Sequence, residues 1–210
     1  MMEPLQILLH KYPELEPCRN PVEQAYRYMY ECYRDGGKVL LCGNGGSAAD
    51  CDHIVGELMK GFNAPRKLPQ EVVSRFSNSM DDGAVLAAKL QGALPAISLS
   101  AHAALMTAYG NDVDPDMIYA QQVYGYAKPG DILVGISTSG NARNVCNALK
   151  VARIQGAITV GLTGREGGAM KELCDVTIRV PYDSTPDVQE RHLPVYHALC
   201  LMLEQSFFGE

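Results

Sequence analysis

The sequence predicts an α/β fold in which one doubly wound domain is built on a five-stranded parallel sheet flanked by helices. Three observations lead to this prediction: five short aliphatic and β-branched runs, helix-length segments between them with apolar spacing near 3.6, and Gly- or Ser-rich turns where several runs end. Regular alternation of strands and helices, joined by turns, is typical of doubly wound α/β proteins. The 210 residues can bury one core, so we treat 1–210 as a single domain.

The five runs are apolar at nearly every position, which is typical of strands buried on both faces of a parallel sheet. They are Lys38–Cys42, Ala96–Ser100, Asp131–Ser137, Ala157–Thr163 and Val176–Pro181. Helical spacing between them is clearest in Ala48–Met59, Met117–Tyr126 and Ala142–Gln155.

Two segments lie outside this alternation. Residues 1–37 precede the first strand and are predicted to be helical over 4–35, with an apolar stripe that includes Tyr26 and Met29. That N-terminal helix serves either oligomer contacts or simple core packing. Residues 63–94 are polar and uneven and are predicted to be an insertion, a lid or a partner surface.

Composition excludes several classes of protein. The net charge of −6 argues against a nucleic-acid face, which needs clustered Lys and Arg. No apolar run approaches the roughly 20 residues that span a bilayer, and the N-terminus lacks the basic and apolar regions of a signal peptide. Seven cysteines without a C-x-x-C pair fit a reducing compartment. We therefore expect a cytoplasmic protein without nucleic-acid or membrane partners.

Three strands end in loops that are rich in glycine and small polar residues. They are 43–47, 137–141 and 163–168, and all three are expected at the carboxyl edge of the sheet, where open α/β sheets bind ligands. Ser137, Thr138 and Ser139 precede a helix, so their hydroxyls and the free N–H groups of that helix suit a phosphate. Asn44 and Ser47 add donors. Helix capping and turn formation alone would explain the composition of any one loop. They explain less well why two loops at the same sheet edge are both rich in hydroxyl groups.

Two nucleotide-binding motifs were considered for the first loop, and the surrounding sequence excludes both. Gly43-x-Gly45-x-x-Ala48 matches a relaxed dinucleotide fingerprint, but the next strand comes too late for a compact unit of about 30 residues. A Walker-type loop fails because no Gly-Lys-Ser/Thr follows Gly46.

The three loops resemble the signature loops of the sugar isomerase (SIS) domain family. The residues that carry the resemblance are Gly43–Ser47, Gly135–Asn141 and Leu162–Gly164. Within that family, Asp52–Leu58 and Val188–His197 resemble the phosphoheptose isomerases. This resemblance implies a ketose–aldose isomerase that converts sedoheptulose 7-phosphate to glycero-manno-heptose 7-phosphate through an enediol. It also implies a homotetramer.

The resemblance further implies the members of the active site. Glu57 and His197 match the catalytic base and acid, and a zinc ion is held by His53, Glu57, Gln189 and His197. Helix geometry agrees in part, because His53 and Glu57 are four residues apart and share a face. Gln189 and His197 are about 80° apart on one helix, whereas His192 lies about 140° from His197 and is expected to stay outside the site.

Substrate-binding positions follow from the same match. They are Asn44, Gly45, Gly46, Ser47, Asp112, Ser137, Thr138, Ser139, Asn141 and Gln189. The chain departs from the family pattern at Lys60, one place before the expected basic residue, and at Ala142, where a hydroxyl often stands. A non-catalytic SIS protein that binds a sugar phosphate or another protein is the alternative. His197 favours the enzyme, because the relatives that bind a replication initiator lack it.

Overall fold

A computed structural model describes residues 3–209 and contains the predicted five-stranded parallel sheet. The strands are β1 Val39–Gly43, β2 Ala96–Ser98, β3 Ile132–Ile136, β4 Ile158–Thr163 and β5 Val176–Arg179. Their spatial order is β2-β1-β3-β4-β5, and every neighbouring pair is parallel. β1 is shifted by one residue from its predicted run, and the other four strands lie inside theirs. The fold class is confirmed.

Helices fill the connections and both ends of the chain. They are α1 Glu3–Lys11, α2 Arg19–Arg34, α3 Gly46–Met59, α4 Gln70–Ser79, α5 Gly83–Lys89, α6 Ala103–Asp112, α7 Ile118–Tyr126, α8 Arg143–Ile154, α9 Met170–Leu173 and α10 Thr185–Phe208. Short 3₁₀ helices span Pro13–Cys18 and Pro115–Met117. Among residues 3–209, no helix combines the length and the apolar character that crossing a bilayer requires.

Two hydrophobic clusters cover the two faces of the sheet, which makes the fold doubly wound. Side chains alternate along each strand, so Leu41 of β1 joins the cluster with α1, α2, α3 and α10. Leu40 of the same strand joins the cluster with α7 and α8. Burial on both faces explains why the strands are apolar at consecutive positions.

The N-terminal helices belong to the first of these clusters. Tyr26, Met29 and Tyr33 of α2 are all less than a tenth exposed and pack into the core. Leu5 and Leu8 of α1 are also buried, and α1 lies against α10. The apolar stripe therefore serves core packing within one chain. Its predicted role in oligomer contacts stays a prediction.

The predicted insertion at 63–94 carries α4 and α5, which pack against each other. No residue of α4 is buried, and α5 buries only Gly83 and Ala87. The segment is anchored at its start, where the side chain of Arg66 is fully buried. Its role as an insertion or a lid stays a prediction.

Candidate functional site

The first loop joins β1 to α3 in a tight turn. A Cβ added at Gly43 would lie 2.8 Å from the carbonyl oxygen of Ser47, so only glycine permits this return of the chain. The Tyr119 hydroxyl donates to the Gly43 carbonyl and holds the end of β1. The turn buries Ser47 in the first turn of α3 and leaves Asn44 exposed.

The second loop follows β3, and the third loop supports it from behind. Gly140 has φ +67°, and a side chain there would clash with the carbonyl oxygen of Gly167 in the third loop. The Gly164 amide donates to the Thr138 carbonyl over 2.9 Å, and the Met170 amide donates to the Gly140 carbonyl over 3.1 Å. The third loop therefore holds the shape of the second.

The first two loops and the start of α10 enclose a cavity of about 360 Å³, which we call the cradle. Its lining residues are Asn44, Gly45, Gly46, Ser47, Ile136, Ser137, Thr138, Ser139, Ala142, Thr185 and Gln189. Three helices begin here: α3 at Gly46, α8 just after Ala142, and α10 at Thr185. The positive dipole ends of three helices favour an anion.

Two of the predicted substrate-binding residues do not line the cradle. The Asn141 side chain bridges two loops, because its Oδ1 accepts from the Ala169 amide and its Nδ2 donates to the Ser139 carbonyl. Asp112 is exposed at the last residue of α6, where its carboxylate accepts from Asn111.

The structure brings three of the predicted catalytic and metal residues together. His53 Nε2 lies 3.1 Å from Glu57 Oε1 and 3.5 Å from His197 Nε2. We call these three side chains the His–Glu cluster. His53 and Glu57 come from successive turns of α3, and His197 comes from α10, which packs against α3.

A buried tyrosine and an acidic residue lie behind His53. The Tyr196 hydroxyl donates to Asp50 Oδ1 over 3.1 Å and lies 3.0 Å from His53 Nδ1. Tyr196 is only 2 % exposed. Burial raises the pKa of Tyr196 well above its usual value, and the nearby Asp50 charge raises it further. The tyrosine is therefore a neutral hydroxyl.

The environment of the cluster separates the roles of its members. Burial lowers the pKa of His197, and the His53 ring lowers it further, against the opposing effect of Glu57. Glu57 is 13 % exposed, and its second oxygen is buried without a hydrogen bond, with Lys60 Nζ 3.7 Å away. The cluster thus combines a neutral His197 imidazole with a Glu57 oxygen that accepts no hydrogen bond from residues 3–209.

Gln189, the fourth predicted zinc ligand and also a predicted substrate-binding residue, lines the cradle. A Cβ added at Gly46 would lie 2.5 Å from Gln189 Nε2, and no hydrogen bond in residues 3–209 joins Gln189 to the His–Glu cluster. Within that same stretch, no group of three or more His, Cys, Asp or Glu is arranged to hold a metal ion. Two imidazoles and a carboxylate still match the donor chemistry of Zn²⁺.

His192 lies outside the cluster, as its angular position on α10 predicts. It is 0 % exposed, and neither of its ring nitrogens forms a hydrogen bond with any residue from 3 to 209. Burial lowers its pKa to about 4. Its environment is the hydrophobic core and not the site.

Sequence reasoning missed several residues that shape the site. Asn144 exchanges two 2.9 Å hydrogen bonds with Asn44 across the first two loops. Thr185 lines the cradle. The Tyr196 hydroxyl contacts both Asp50 and His53. Two of these residues could have been found from the sequence. Thr185 stands at the predicted start of a helix, where loops bind ligands, and Asp50 lies three residues before His53 on the same face of α3. Nothing in the sequence distinguishes Tyr196 from a core tyrosine.

Comparisons with known proteins agree with this geometry. A family model described as "SIS domain" matches residues 14–84 and 84–164. Phosphoheptose isomerase from Aliarcobacter butzleri is 40% identical over 192 residues, which cover 91% of this chain and 88% of that protein.

Solved structures of two further relatives have the same architecture. Phosphoheptose isomerase from Neisseria gonorrhoeae has a TM-score of 0.75 at 32% identity and covers 96% of this chain and 95% of its own. The corresponding structure from Francisella tularensis has a TM-score of 0.77 at 31% identity and covers 93% and 91%. The chain therefore belongs to the phosphoheptose isomerases, a family of aldose–ketose isomerases built on the SIS domain.

Proposed function

We propose that this protein isomerises sedoheptulose 7-phosphate to glycero-manno-heptose 7-phosphate. The observation that carries the proposal is the pairing of an anion-binding cradle with the His–Glu cluster on the same two helices. Ser47 and Glu57 both belong to α3, and Thr185 and His197 both belong to α10. The names of the relatives support the choice of substrate.

The separation of the two sites suits a long sugar phosphate. His53 is six residues beyond Ser47, which is about 9 Å along the helix axis, and His197 is eight residues beyond Gln189, about 12 Å. A heptose 7-phosphate carries its phosphate and its reacting C1–C2 pair at opposite ends of the carbon chain. With the phosphate in the cradle, the reacting end extends along α3 and α10 toward the cluster.

The chemistry is a proton transfer between neighbouring carbons. Glu57 removes a proton from C1 of the ketose, and the C1–H electron pair becomes the C1=C2 bond. His197 donates a proton to the C2 carbonyl oxygen, which completes the enediol. Return of a proton to C2 and loss of the O1 proton give the aldose. The half-buried position of Glu57 limits competition from water.

A zinc ion is part of this proposal. His53, Glu57 and His197 would hold it, since His53 Nε2 lies 3.1 Å from Glu57 Oε1 and 3.5 Å from His197 Nε2. The second oxygen of Glu57 accepts no hydrogen bond from residues 3–209. Bound there, the ion would polarise the substrate carbonyl or orient its hydroxyls. Gln189, which lines the cradle, is the fourth proposed ligand.

Isotope exchange and turnover test the isomerase proposal. Glu57→Gln and His197→Asn are each expected to lose at least about 100-fold in kcat, since a positioned acid or base contributes about 10²–10⁴-fold. Exchange of solvent hydrogen into substrate carbons should also vanish in Glu57→Gln. The matched control is His192→Asn on the same helix, which should stay within about tenfold of wild type. Absence of turnover by the wild-type protein with any ketose phosphate would favour a non-catalytic, sugar-phosphate-binding role instead.

Elemental analysis tests the proposed metal. Protein purified without chelator is expected to carry zinc, and the His53→Ala, His197→Ala double variant should carry much less. Equal zinc content in the two proteins would contradict these ligands. His10→Ala, which removes an exposed histidine of α1, controls for surface binding.

Two further properties are proposed for the whole protein. A homotetramer is proposed from the family resemblance. A cytoplasmic, reducing location is proposed because all seven cysteines are unpaired and six of them are buried.

A further inference from the structure

Two asparagine side chains join the first loop to the helix that follows the second loop, and we call them the Asn pair. Asn44 Nδ2 donates to Asn144 Oδ1 over 2.9 Å, and Asn144 Nδ2 donates to Asn44 Oδ1 over the same distance. Asn44 follows β1 and lines the cradle. Asn144 lies in the first turn of α8, two residues after Ala142 of the cradle lining. The Asn pair therefore connects two sides of the cradle.

A backbone donor fixes which atom of each amide is the oxygen. The Val145 amide lies 2.9 Å from Asn144 Oδ1, and a backbone N–H can only donate, so this atom is the acceptor. The Asn44 atom that faces it is then the Nδ2 donor, and the other two atoms pair in the opposite sense. Each amide thus uses its oxygen and one of its two N–H groups within the pair.

Tyr119 of α7 holds the same loop by its backbone. Its buried hydroxyl donates to the Gly43 carbonyl and lies 3.5 Å from Asn44 Oδ1. The backbone just before Asn44 is therefore tied to α7, and the side chain of Asn44 is tied to α8. With both contacts in place, the end of β1 and the start of α3 have a defined position relative to the second loop.

We propose that Asn144 is a positioning residue that acts through Asn44 and sets the gap between the starts of α3 and α8 before a phosphate group binds. The inference rests on the proposed function for the identity of the ligand. Asn44 lies two residues before α3 begins at Gly46, and Asn144 is the second residue of α8. Without the Asn pair, only a fraction of the molecules holds the binding geometry, and the apparent Kd rises by the inverse of that fraction.

The Asn pair also changes the role expected for Asn44. The sequence predicts its side chain as a donor to the substrate, yet Asn144 occupies its oxygen and one of its N–H groups. Most of the hydrogen-bonding capacity of this amide therefore serves the shape of the cradle. Substitution of either asparagine removes the same interaction, so the effects of the two substitutions on ligand affinity should not add.

Binding of inorganic phosphate, measured by titration calorimetry, tests the proposal in a double-mutant cycle. Asn144→Ala is expected to raise the Kd of phosphate about 5–10-fold, because the two hydrogen bonds that shape the cradle are lost. Asn44→Ala should raise it at least as much. In the Asn44→Ala protein, adding Asn144→Ala should raise the Kd by less than about twofold, since the Asn pair is already broken.

Asn147→Ala is the matched control. It removes the same kind of side chain from the next turn of α8, where the amide donates to the Asp116 carbonyl and not to a cradle loop. The Kd of phosphate should stay within about twofold of wild type. With sedoheptulose 7-phosphate, Asn144→Ala should raise KM and leave kcat within about twofold, as expected when only binding is lost.

Three results would overturn the proposal. They are a Kd that is unchanged in Asn144→Ala, a further rise in the double variant as large as the rise in the wild-type background, and a wild-type protein that binds no phosphate. Should Asn44→Ala fail to fold, Asn44→Ser takes its place in the cycle. Turnover without phosphate binding would contradict this inference alone, whereas phosphate binding without turnover would contradict only the proposed isomerase activity.

Discussion

His192 and His197 lie on the same helix, yet their surroundings give them different chemistry. His197 meets His53 at the surface of α3, whereas His192 faces the core with both nitrogens unpaired. Five residues rotate the second ring by about 140° around the helix axis, which is enough to move it from core to site. The two residues are both histidines, so their different environments follow from their angular positions on the helix.

The burial of His192 predicts a loss of stability in acid. Its pKa is about 4 in the folded protein, and the ordinary value is 6.5, so the unfolded chain binds the extra proton between these values. The free energy of unfolding therefore falls as pH drops from 6.5 to 4. His192→Leu should reduce the difference in unfolding free energy between pH 7 and about 4.5 by about 2–3 kcal/mol, measured by urea denaturation.

The control for this experiment is His10→Leu, an exposed position on α1, which should leave the pH dependence as it is in wild type. An equal loss of stability in acid for wild type and His192→Leu would show that His192 is not buried as a neutral ring.

At the level of secondary structure, the site depends on two features: the starts of three helices, which surround the cradle, and a buried ion pair, which holds the end of α3. The beginnings of α3, α8 and α10 meet at the cradle because parallel strands place all following helices at one edge of the sheet. Ser184 caps the start of α10, because its hydroxyl accepts from the Asp187 amide, and Pro186 lies in the first turn of that helix.

Convergence of helix starts predicts selective binding of phosphorylated sugars. Sedoheptulose 7-phosphate at 100 times its Kd should stabilise the protein by about 2.7 kcal/mol, seen as a rise in Tm, and the free sugar should not. Thr138→Val removes one cradle hydroxyl and should raise the Kd about tenfold or more, because a hydrogen bond to a charged group contributes about 1.5–3 kcal/mol. Thr107→Val, on the exposed face of α6, is the control. Equal Tm shifts with sugar and sugar phosphate would contradict an anion site.

A buried ion pair fixes the chain just after α3. Arg66 donates to Glu204 Oε1 at 2.8 Å and to the carbonyl oxygens of Leu58 and Glu57. Glu204 also accepts from the amides of the segment 62–64. Burial alone would raise the pKa of Glu204, but these donors and Arg66 together lower it. The pair thus ties the backbone of Glu57 to α10.

Loss of this pair is expected to be severe. Arg66→Met leaves the buried Glu204 carboxylate without its counter-charge and takes one donor from each of two carbonyl oxygens. Unfolding free energy should therefore fall by about 3–5 kcal/mol. Arg66→Lys should recover only part of it, since an ammonium cannot reproduce the guanidinium fork. The control is Arg34→Met, whose partner Asp35 is exposed, and its cost in unfolding free energy should be much smaller. Chemical denaturation measures all three, and a cost for Arg66→Met no larger than the control would contradict the clamp.

At the level of the whole molecule, a hydrophobic core covers each face of the sheet, and the cradle lies at the carboxyl edge of its strands. The N-terminal helix α1 lies against α10 near the His–Glu cluster, and a groove between them is lined by Ile7, Pro194 and His197. Ile7 is 48 % exposed in the single chain. This surface is where we expect the proposed tetramer contacts of the N-terminal helix.

Substitution of Ile7 tests that expectation. Light scattering should give a mass four times that of the chain for wild type, and Ile7→Glu should shift it to a smaller species, because a buried charge without a partner is costly. Ile154→Glu, at an isolated and more exposed site on α8, should leave the tetramer intact. A mass that is unchanged in Ile7→Glu would remove α1 from the interface.

The sequence by itself determined the fold class, the five strands to within one or two residues at most ends, the cradle loops and the α3 pair His53–Glu57. Those features depend on local periodicity, on turn residues and on helical spacing, all of which are written along one segment of chain. Only the tertiary structure decided that Asn141 bridges two loops, that Asp112 lies outside the cradle and that Arg66 is buried. The contact of Tyr196 with Asp50 and His53 belongs to the same group. Each of these depends on the packing of elements that are distant in sequence, such as α3 against α10, and helical periodicity within one segment carries no information about its neighbour.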